Sequence, residues 1–433
     1  MTYGFNRSQG STMFSRSFPT LQAVKVGSPP LLSFLRERKN VWFWRRALGV
    51  LVLGLTATLT GCARNRRPEP PLPPRVTVEQ AVQLVPPDVK EREGWAEDVL
   101  AALEAHRLHP SAEAVCSVLA VIEQESGFEP NPAVPGLARI VEQKLEAYAD
   151  KLGPLGPPAI KGLLEGRAPG ETQTFQQRLG KVKTERDLDR IFRELLEYYE
   201  TEFPKTFAAA QLASALFKST RLEDLNPITT AGSMQVSVRF SEELAGGDEH
   251  ALRRVREELY TRGGGVYYGT ARLLGYTAHY TEPIYRFADY NAGFYASRNA
   301  AVQEQVSRLT GIKLVPDGDL LMYDKNEEPL DQDSNSLKAL LAFRERYAQD
   351  LSERRVRKDA LHEKELEFEE TDTWNAIKSA YQEVTGETPA YAQLPTVSIR
   401  SPKITGEKST VWFARNVDRR YQRCMARYAA LPK

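Results

Sequence analysis

The stretch IEQESGFEPNPAVPG, Ile122 to Gly136, marks the abrupt end of an apolar run. The residues leading into it, AEAVCSVLAVI from Ala112, are apolar around most of a helical circumference, which predicts a central buried helix. Ser111 is a suitable N-cap for a start at Ala112, and Gly127 a suitable C′ residue for the stop. The helix therefore delivers a carboxylate, Glu125, from apolar surroundings just where it runs out. Ser126, Gly127 and Phe128 follow, and then the turn residues Pro130, Asn131, Pro132 and Pro135. A carboxylic acid in a poorly solvated setting keeps its proton to higher pH, which is what a general acid near neutrality needs. Glu123 lies on another face of the same helix and Glu129 lies past Gly127, and both are read as solvated.

Working outward, helical periodicity dominates. Trp95, Val99, Leu100 and Leu103 recur at three- and four-residue spacing, and His109-Pro110-Ser111 breaks that pattern. Between Leu137 and Leu225, LARIVEQKLEAYADKL and DLDRIFRELLEYYETEF are amphipathic, with GPLGPP as a turn between them. The aromatic stripe Phe192, Tyr199, Phe203 is read as ordinary core packing. Helical patterns continue at HALRRVREELY, GVYYGTARLLGY, IYRFADYNAG and ASRNAAVQEQVSRL. Beyond Pro316 the long charged stretch from Asp333 to Glu370 is read as a solvated helical face. YAQLPTVSIRSPKITGEKST is irregular and partly extended, and VWFARNVDRRYQRCMARY closes the chain as an amphipathic helix. With few alternating strand patterns and no internal repeat, the fold class is mainly α.

Length and charge narrow the function classes. The 433 residues carry 58 basic and 57 acidic side chains, a net charge of +1, so no global field points to nucleic acid. The five histidines sit in no HExxH or CxxC setting, so neither a metal nor another cofactor is expected. FWRRALGVLVLGLTATLTGC, Phe43 to Cys62, has a basic flank and an apolar core too short to span a bilayer comfortably, and it reads as an export signal. Its ending, Leu59-Thr60-Gly61-Cys62, resembles the lipobox of bacterial lipoproteins, which implies lipidation of Cys62. Ala63 in place of Asp after the cysteine resembles lipoproteins sent to the outer membrane, where the periplasmic face is the expected side. Residues 1–40, Ser- and Gly-rich, look like an over-long start, with the real one nearer Val41. Residues 63–77 read as a proline-rich tether. Cys116 and Cys424 then remain, and an oxidising compartment permits either a disulfide or two buried thiols.

Three short pieces carry the chemistry: Glu125-Ser126-Gly127-Phe128, Ala231-Gly232-Ser233-Met234-Gln235-Val236 and Ala288-Asp289-Tyr290-Asn291-Ala292-Gly293. In order, they resemble the E-S-x-F, G-L-M-Q and A-Y-N-A-G signatures of the soluble lytic transglycosylase family. NPITTAGSMQ resembles the family's approach to the second motif. Gly265-Val266-Tyr267-Tyr268 with Leu273-Leu274 resembles the helix between the second and third. The resemblance covers about Gly94 to Gly136 and Asn226 to Leu309, and it implies a lysozyme-like fold. Narrower still, a lipobox joined to an expanded transglycosylase-like core resembles a family of uncharacterised Gram-negative lipoproteins. The implied organisation is a signal region (1–62), the tether (63–77), a transglycosylase-like domain (78–136 and 226–319), a helical insertion (137–225) and a charged helical C-terminal region (320–433).

The resemblance implies that Glu125 acts first as acid and then as base in cleaving MurNAc–GlcNAc β-1,4 bonds of peptidoglycan. Protonation of the leaving oxygen accompanies an oxocarbenium-like centre. Lytic transglycosylases need no second carboxylate, because the muramic acid 6-hydroxyl attacks and closes a 1,6-anhydro ring while the same glutamate removes its proton. The implied substrate-binding residues are Ser126, Met234, Gln235, Tyr290 and Asn291. Ser126 and Gln235 would position saccharide groups, Tyr290 would hydrogen-bond and orient Glu125, and Asn291 would shape the loop below the cleft. Phe128 and Met234 would supply the apolar setting.

The chain departs from the family at Ser233, where leucine is usual, at Phe294 after Asn-Ala-Gly, and at Asp289, read as a surface residue at a helix end. The largest departure is residues 137–225, where the family has a short loop. The closing helix resembles the family's final helix, which would make 320–405 a second insertion and return Cys424 near Cys116. Expected partners are glycan strands, the membrane through Cys62 and an envelope protein. The alternative function is a non-catalytic envelope lipoprotein whose lysozyme-like cleft binds glycan or docks that partner.

Overall fold

The computed structural model describes residues 71–151, 153–201, 226–246, 249–324, 327–399 and 408–432. The chain divides into two compact units, Met1–Pro71 and Leu72–Lys433, and every element below belongs to the second. The export signal, Cys62, the first part of the tether (63–70), Phe203 and the end of the insertion (202–225) lie outside the described residues. Among the described residues, no helix is long and apolar enough to cross a membrane.

Leu72–Lys433 is mainly helical. It opens with α1 (Val78–Leu84), α2 (Arg92–Ala105) and α3 (Ala112–Glu125). The segment expected to be an insertion holds α4 (Leu137–Lys151), α5 (Gly156–Leu164), α6 (Phe175–Leu179) and α7 (Glu185–Thr201). A hairpin of β1 (Thr230–Ala231) and β2 (Val236–Ser237) follows, in the register Thr230↔Ser237 and Ala231↔Val236. Next come α8 (Val238–Leu244), α9 (Glu249–Leu259), α10 (Arg262–Leu274), α11 (Pro283–Ala292) and α12 (Ala296–Thr310). The last part holds α13 (Asn335–Tyr347), α14 (Glu353–Ala360) and α15 (Asp372–Thr385), then β3 (Ser398–Ile399) paired with β4 (Lys408–Ser409), and α16 (Thr410–Ala429).

Three hydrophobic cores organise these elements. The first is built around α3, whose Val115, Val118, Leu119, Val121 and Ile122 are buried on all sides. Ser111 caps it, its hydroxyl accepting from Ala114 N at 3.2 Å. The helix packed most closely along α3 is α16, which brings Phe413, Ala414, Val417 and Tyr421 into this core. A disulfide joins Cys116 to Cys424 with Cα atoms 5.5 Å apart across 308 residues of sequence.

The second core joins α4–α7 to the hairpin and the helices after it. Phe175, Leu188, Ile191 and Leu195 pack with Ile228, Val236, Val255, Leu259 and Tyr268. The buried face of α7 is therefore Leu188, Ile191 and Leu195, while Phe192 and Tyr199 are only half-buried. The aromatic stripe is not the inner face, because the leucine–isoleucine row at the same helical spacing took that position.

The third core lies in the charged region. Val302, Val306 and Leu309 of α12 meet Leu320, Leu340, Phe343, Val356, Phe368 and Ile377. The stretch 333–370 is thus no purely solvated face: Asp359 and Glu363 are buried with it. Arg298, 0% exposed, braces this core by donating to the carbonyls of Glu365 (2.8 Å) and Glu363 (2.6 Å) and to Glu369 Oε1 (3.3 Å). A boundary at 320 also cuts across the packing, since α16 returns to the first core.

Candidate active site

Glu125 is the last residue of α3 and is half-buried. The exit from the helix is sharp: Gly127 and Phe128 follow with φ of +61° and +68°. A left-handed backbone is costly for an aromatic residue and persists only where the surroundings hold it. Here Phe128 is buried, and its ring meets Trp95 of α2 edge-on at 5.4 Å. The same turn sends the Ser126 hydroxyl back onto the α3 carbonyl of Ile122, at 3.1 Å.

The second motif is the four-residue turn between β1 and β2. Gly232 has φ +80°, and Gln235, at φ +50°, donates its N–H to Gly232 O at 3.0 Å. This turn sits directly on α10. A side chain at Gly265 would run into Ser233, and one at Gly269 into Met234. Gly265 and Gly269 of α10 therefore let the turn approach the helix, and the small Ser233, in place of leucine, matches that approach. Met234 is 0% exposed.

The third motif ends α11. Tyr290 donates its hydroxyl hydrogen to the Met234 carbonyl at 2.8 Å, which fixes the second motif to the third. Burial pushes the Tyr290 hydroxyl well above its usual pKa; the Glu125 charge adds to this and Arg272 opposes it. The end of α3, the hairpin turn and the end of α11 thus meet around Tyr290. A phenol has one proton to donate, and in this structure the turn receives it.

The other expected site residues are engaged within the fold. Gln235 Nε2 donates to Glu185 Oε2 at 3.0 Å and to Gly232 O at 3.3 Å, and Gln235 Oε1 accepts from Thr230 at 3.1 Å. Glu185, 2% exposed, opens α7, so the insertion reaches the second motif directly. Asn291 is exposed, and its Oδ1 accepts from Thr410 Oγ1, at the start of α16, at 3.0 Å.

Two residues are placed differently from their sequence reading, and a third went unread. Asp289 is no surface residue: it is 1% exposed and accepts from Tyr280 (2.6 Å), Tyr276 (3.0 Å) and Ser297 N (2.7 Å). Burial raises its pKa, and those hydrogen bonds oppose the rise. Glu123 is paired with α16, through Arg423 at 2.5 Å and Arg420 at 3.5 Å. Arg272, which no motif marks, lies 3.8 Å from the Phe294 ring centroid, and burial lowers its pKa. Nothing in its local sequence, ARLL, separates it from an ordinary exposed helix arginine. Among the described residues, no group of three or more His, Cys, Asp or Glu is placed to hold a metal ion.

Comparison with known proteins bears on the whole of this arrangement. Residues 88–427, which hold the second and third cores and most of the first, match the family described as protein of unknown function (DUF1615). The chain is 36% identical over 383 residues to the uncharacterized protein YaiW of Escherichia coli (strain K12), covering 87% of this chain and 98% of that protein. No solved structure matches. With the family match running from just before α2 into α16, the chain belongs to the DUF1615 family.

Proposed function

We propose that this protein is a membrane-anchored peptidoglycan lytic transglycosylase, built on a lysozyme-like helical fold and held at the outer membrane through a lipidated Cys62. The observation that carries the reading is the meeting of three motif pieces at Tyr290, which is bonded to Met234 and lies within reach of the Glu125 charge. Glu125 would give its proton to the glycosidic oxygen as the bond to C1 of muramic acid breaks. The 6-hydroxyl oxygen then bonds to C1 and its proton returns to Glu125, so the acid is regenerated and no water is consumed. No second carboxylate is needed, which suits a site where Asp289 is buried against two tyrosines and Glu123 is paired with arginines.

A second reading has its own support. Gln235 is held by Glu185 and Thr230, and Asn291 by Thr410, so two groups that would meet the sugar are already engaged. That favours a non-catalytic lipoprotein that binds glycan or docks an envelope protein. Digestion of purified sacculi with mass spectrometry of the products separates the two. Release of 1,6-anhydro muropeptides, abolished by Glu125→Gln, supports the enzyme. Reducing-end products mean hydrolysis, and retained sacculus binding without any product sinks catalysis. Loss of palmitate labelling in Cys62→Ala would test the anchor.

A further inference from the structure

The closing helix α16 is strongly basic. It carries Arg415, Arg419, Arg420, Arg423 and Arg427 against a single acid, Asp418, in a chain whose net charge is only +1. Arg420, Arg423 and Arg427 recur at three- and four-residue spacing, so they share one face. That face runs beside the last turn of α3 and the end of α1. Arg423 Nη2 reaches Glu123 at 2.5 Å, Arg420 Nε is 3.5 Å from the same carboxylate, and Arg427 Nε donates to Leu84 O at 3.0 Å. Arg92 stands against the same end of α1, donating to the carbonyls of Val82 (2.6 Å) and Val85 (3.1 Å).

The ridge of four guanidinium groups is ion-paired with Glu123, and the charges of Glu125 and Asp88 also favour the charged forms of Arg420 and Arg427. Arg420 Nε, Arg427 Nη2 and Arg92 Nε are themselves buried and have no hydrogen-bond acceptor among the described residues, which leaves the more exposed Arg423 as the open edge of the ridge. Burial and neighbouring arginines both work against the charge on Arg420 and Arg427. Half-buried like charges crowded on one face are unfavourable by themselves and become favourable when an anion pairs with their exposed side. A guanidinium fork matches the planar, two-oxygen geometry of a carboxylate. Arg420 responds to the charges of both Glu123 and Glu125, so the ridge borders the candidate site.

We infer that the Arg92–Arg420–Arg423–Arg427 ridge is a carboxylate-binding subsite that takes the acidic peptide stems of a glycan strand held at Glu125. This rests on the glycan reading proposed above. It makes the preferred substrate peptide-bearing glycan, and the arginines the residues that set that preference.

The test is calorimetry with the full-length Glu125→Gln protein in detergent, which removes turnover. Three probes are used: a glycan oligomer bearing tetrapeptide stems, the same oligomer stripped by an amidase, and the free tetrapeptide. The peptide-bearing oligomer is expected to bind roughly tenfold or more tightly than the stripped one, as for one or more charge-assisted contacts. That ratio should shrink as salt is raised and should fall about tenfold in Arg420→Gln or Arg423→Gln. Arg423 is 54% exposed, so its substitution leaves the core packing in place. Equal affinity for the two glycans, or a ratio that neither variant moves, overturns the inference. Binding of free tetrapeptide with binding of neither glycan refutes the glycan reading while keeping a carboxylate site. Binding of none of the three, with arginine-dependent capture by phosphatidylglycerol vesicles, assigns the ridge to lipid phosphate and overturns the peptide assignment.

Discussion

Asp289 shows how much one side chain can carry that its sequence position does not announce. Its carboxylate gathers two tyrosine hydroxyls and the Ser297 amide at the residue before Tyr290. Replacement by alanine strands three donors, each costing about 1–3 kcal/mol when buried. Asp289→Ala is expected to lose at least 3 kcal/mol or so by urea denaturation, and Asp289→Asn distinctly less. Lys378 makes a pH-dependent case. It lies over Trp374 with Nζ 4.0 Å from the ring centroid and donates to Gln305 Oε1 at 2.8 Å. Burial, aided by Arg298, lowers its pKa to about 7 from an ordinary 10.5. A base depressed in the folded state holds more protons when unfolded, so its contribution is complete above 10.5 and lost as pH falls toward 7. Stability should therefore rise from pH 7 to pH 9 by about 2 kcal/mol, and Lys378→Met should flatten that slope in thermal melts.

At the scale of elements, two couplings matter. The first is α3 to α16, where the Cys116–Cys424 disulfide closes a loop with a sequence separation of 308 residues. Chain-entropy reasoning gives such a closure about 6 kcal/mol. Cys116→Ser and Cys424→Ser should each lower the melting temperature, and reductant should lower that of the parent protein but not of the variants. The second is α7 to the hairpin turn, through Glu185 and Gln235. Glu185→Ala should speed amide hydrogen exchange across residues 232–236 while leaving α3 protected, which a hydrogen-exchange map would reveal. Exchange unchanged at the turn would mean that the α10 glycine contacts alone hold it.

For the whole molecule, the three cores are one cooperative problem, because the last helix fills the first core. A chain stopped at residue 319 would lack α16 and most of the third core, leaving the apolar side of α3 uncovered. It is expected to show no cooperative melting and to aggregate, whereas a mere charged appendage could be removed without loss. The sequence by itself determined the helical class, the Ser111 cap, the Gly127 stop and the residues that gather at Tyr290, since caps and periodicity act between near neighbours in the chain. The resemblance of the closing helix already brought Cys424 near Cys116, but only the tertiary structure decided that the two are joined, that Asp289 is interior, and that Glu185 and Thr410 hold Gln235 and Asn291. Those outcomes depend on which surfaces meet across tens to hundreds of residues, and a local pattern of polar and apolar side chains carries no record of its distant partner.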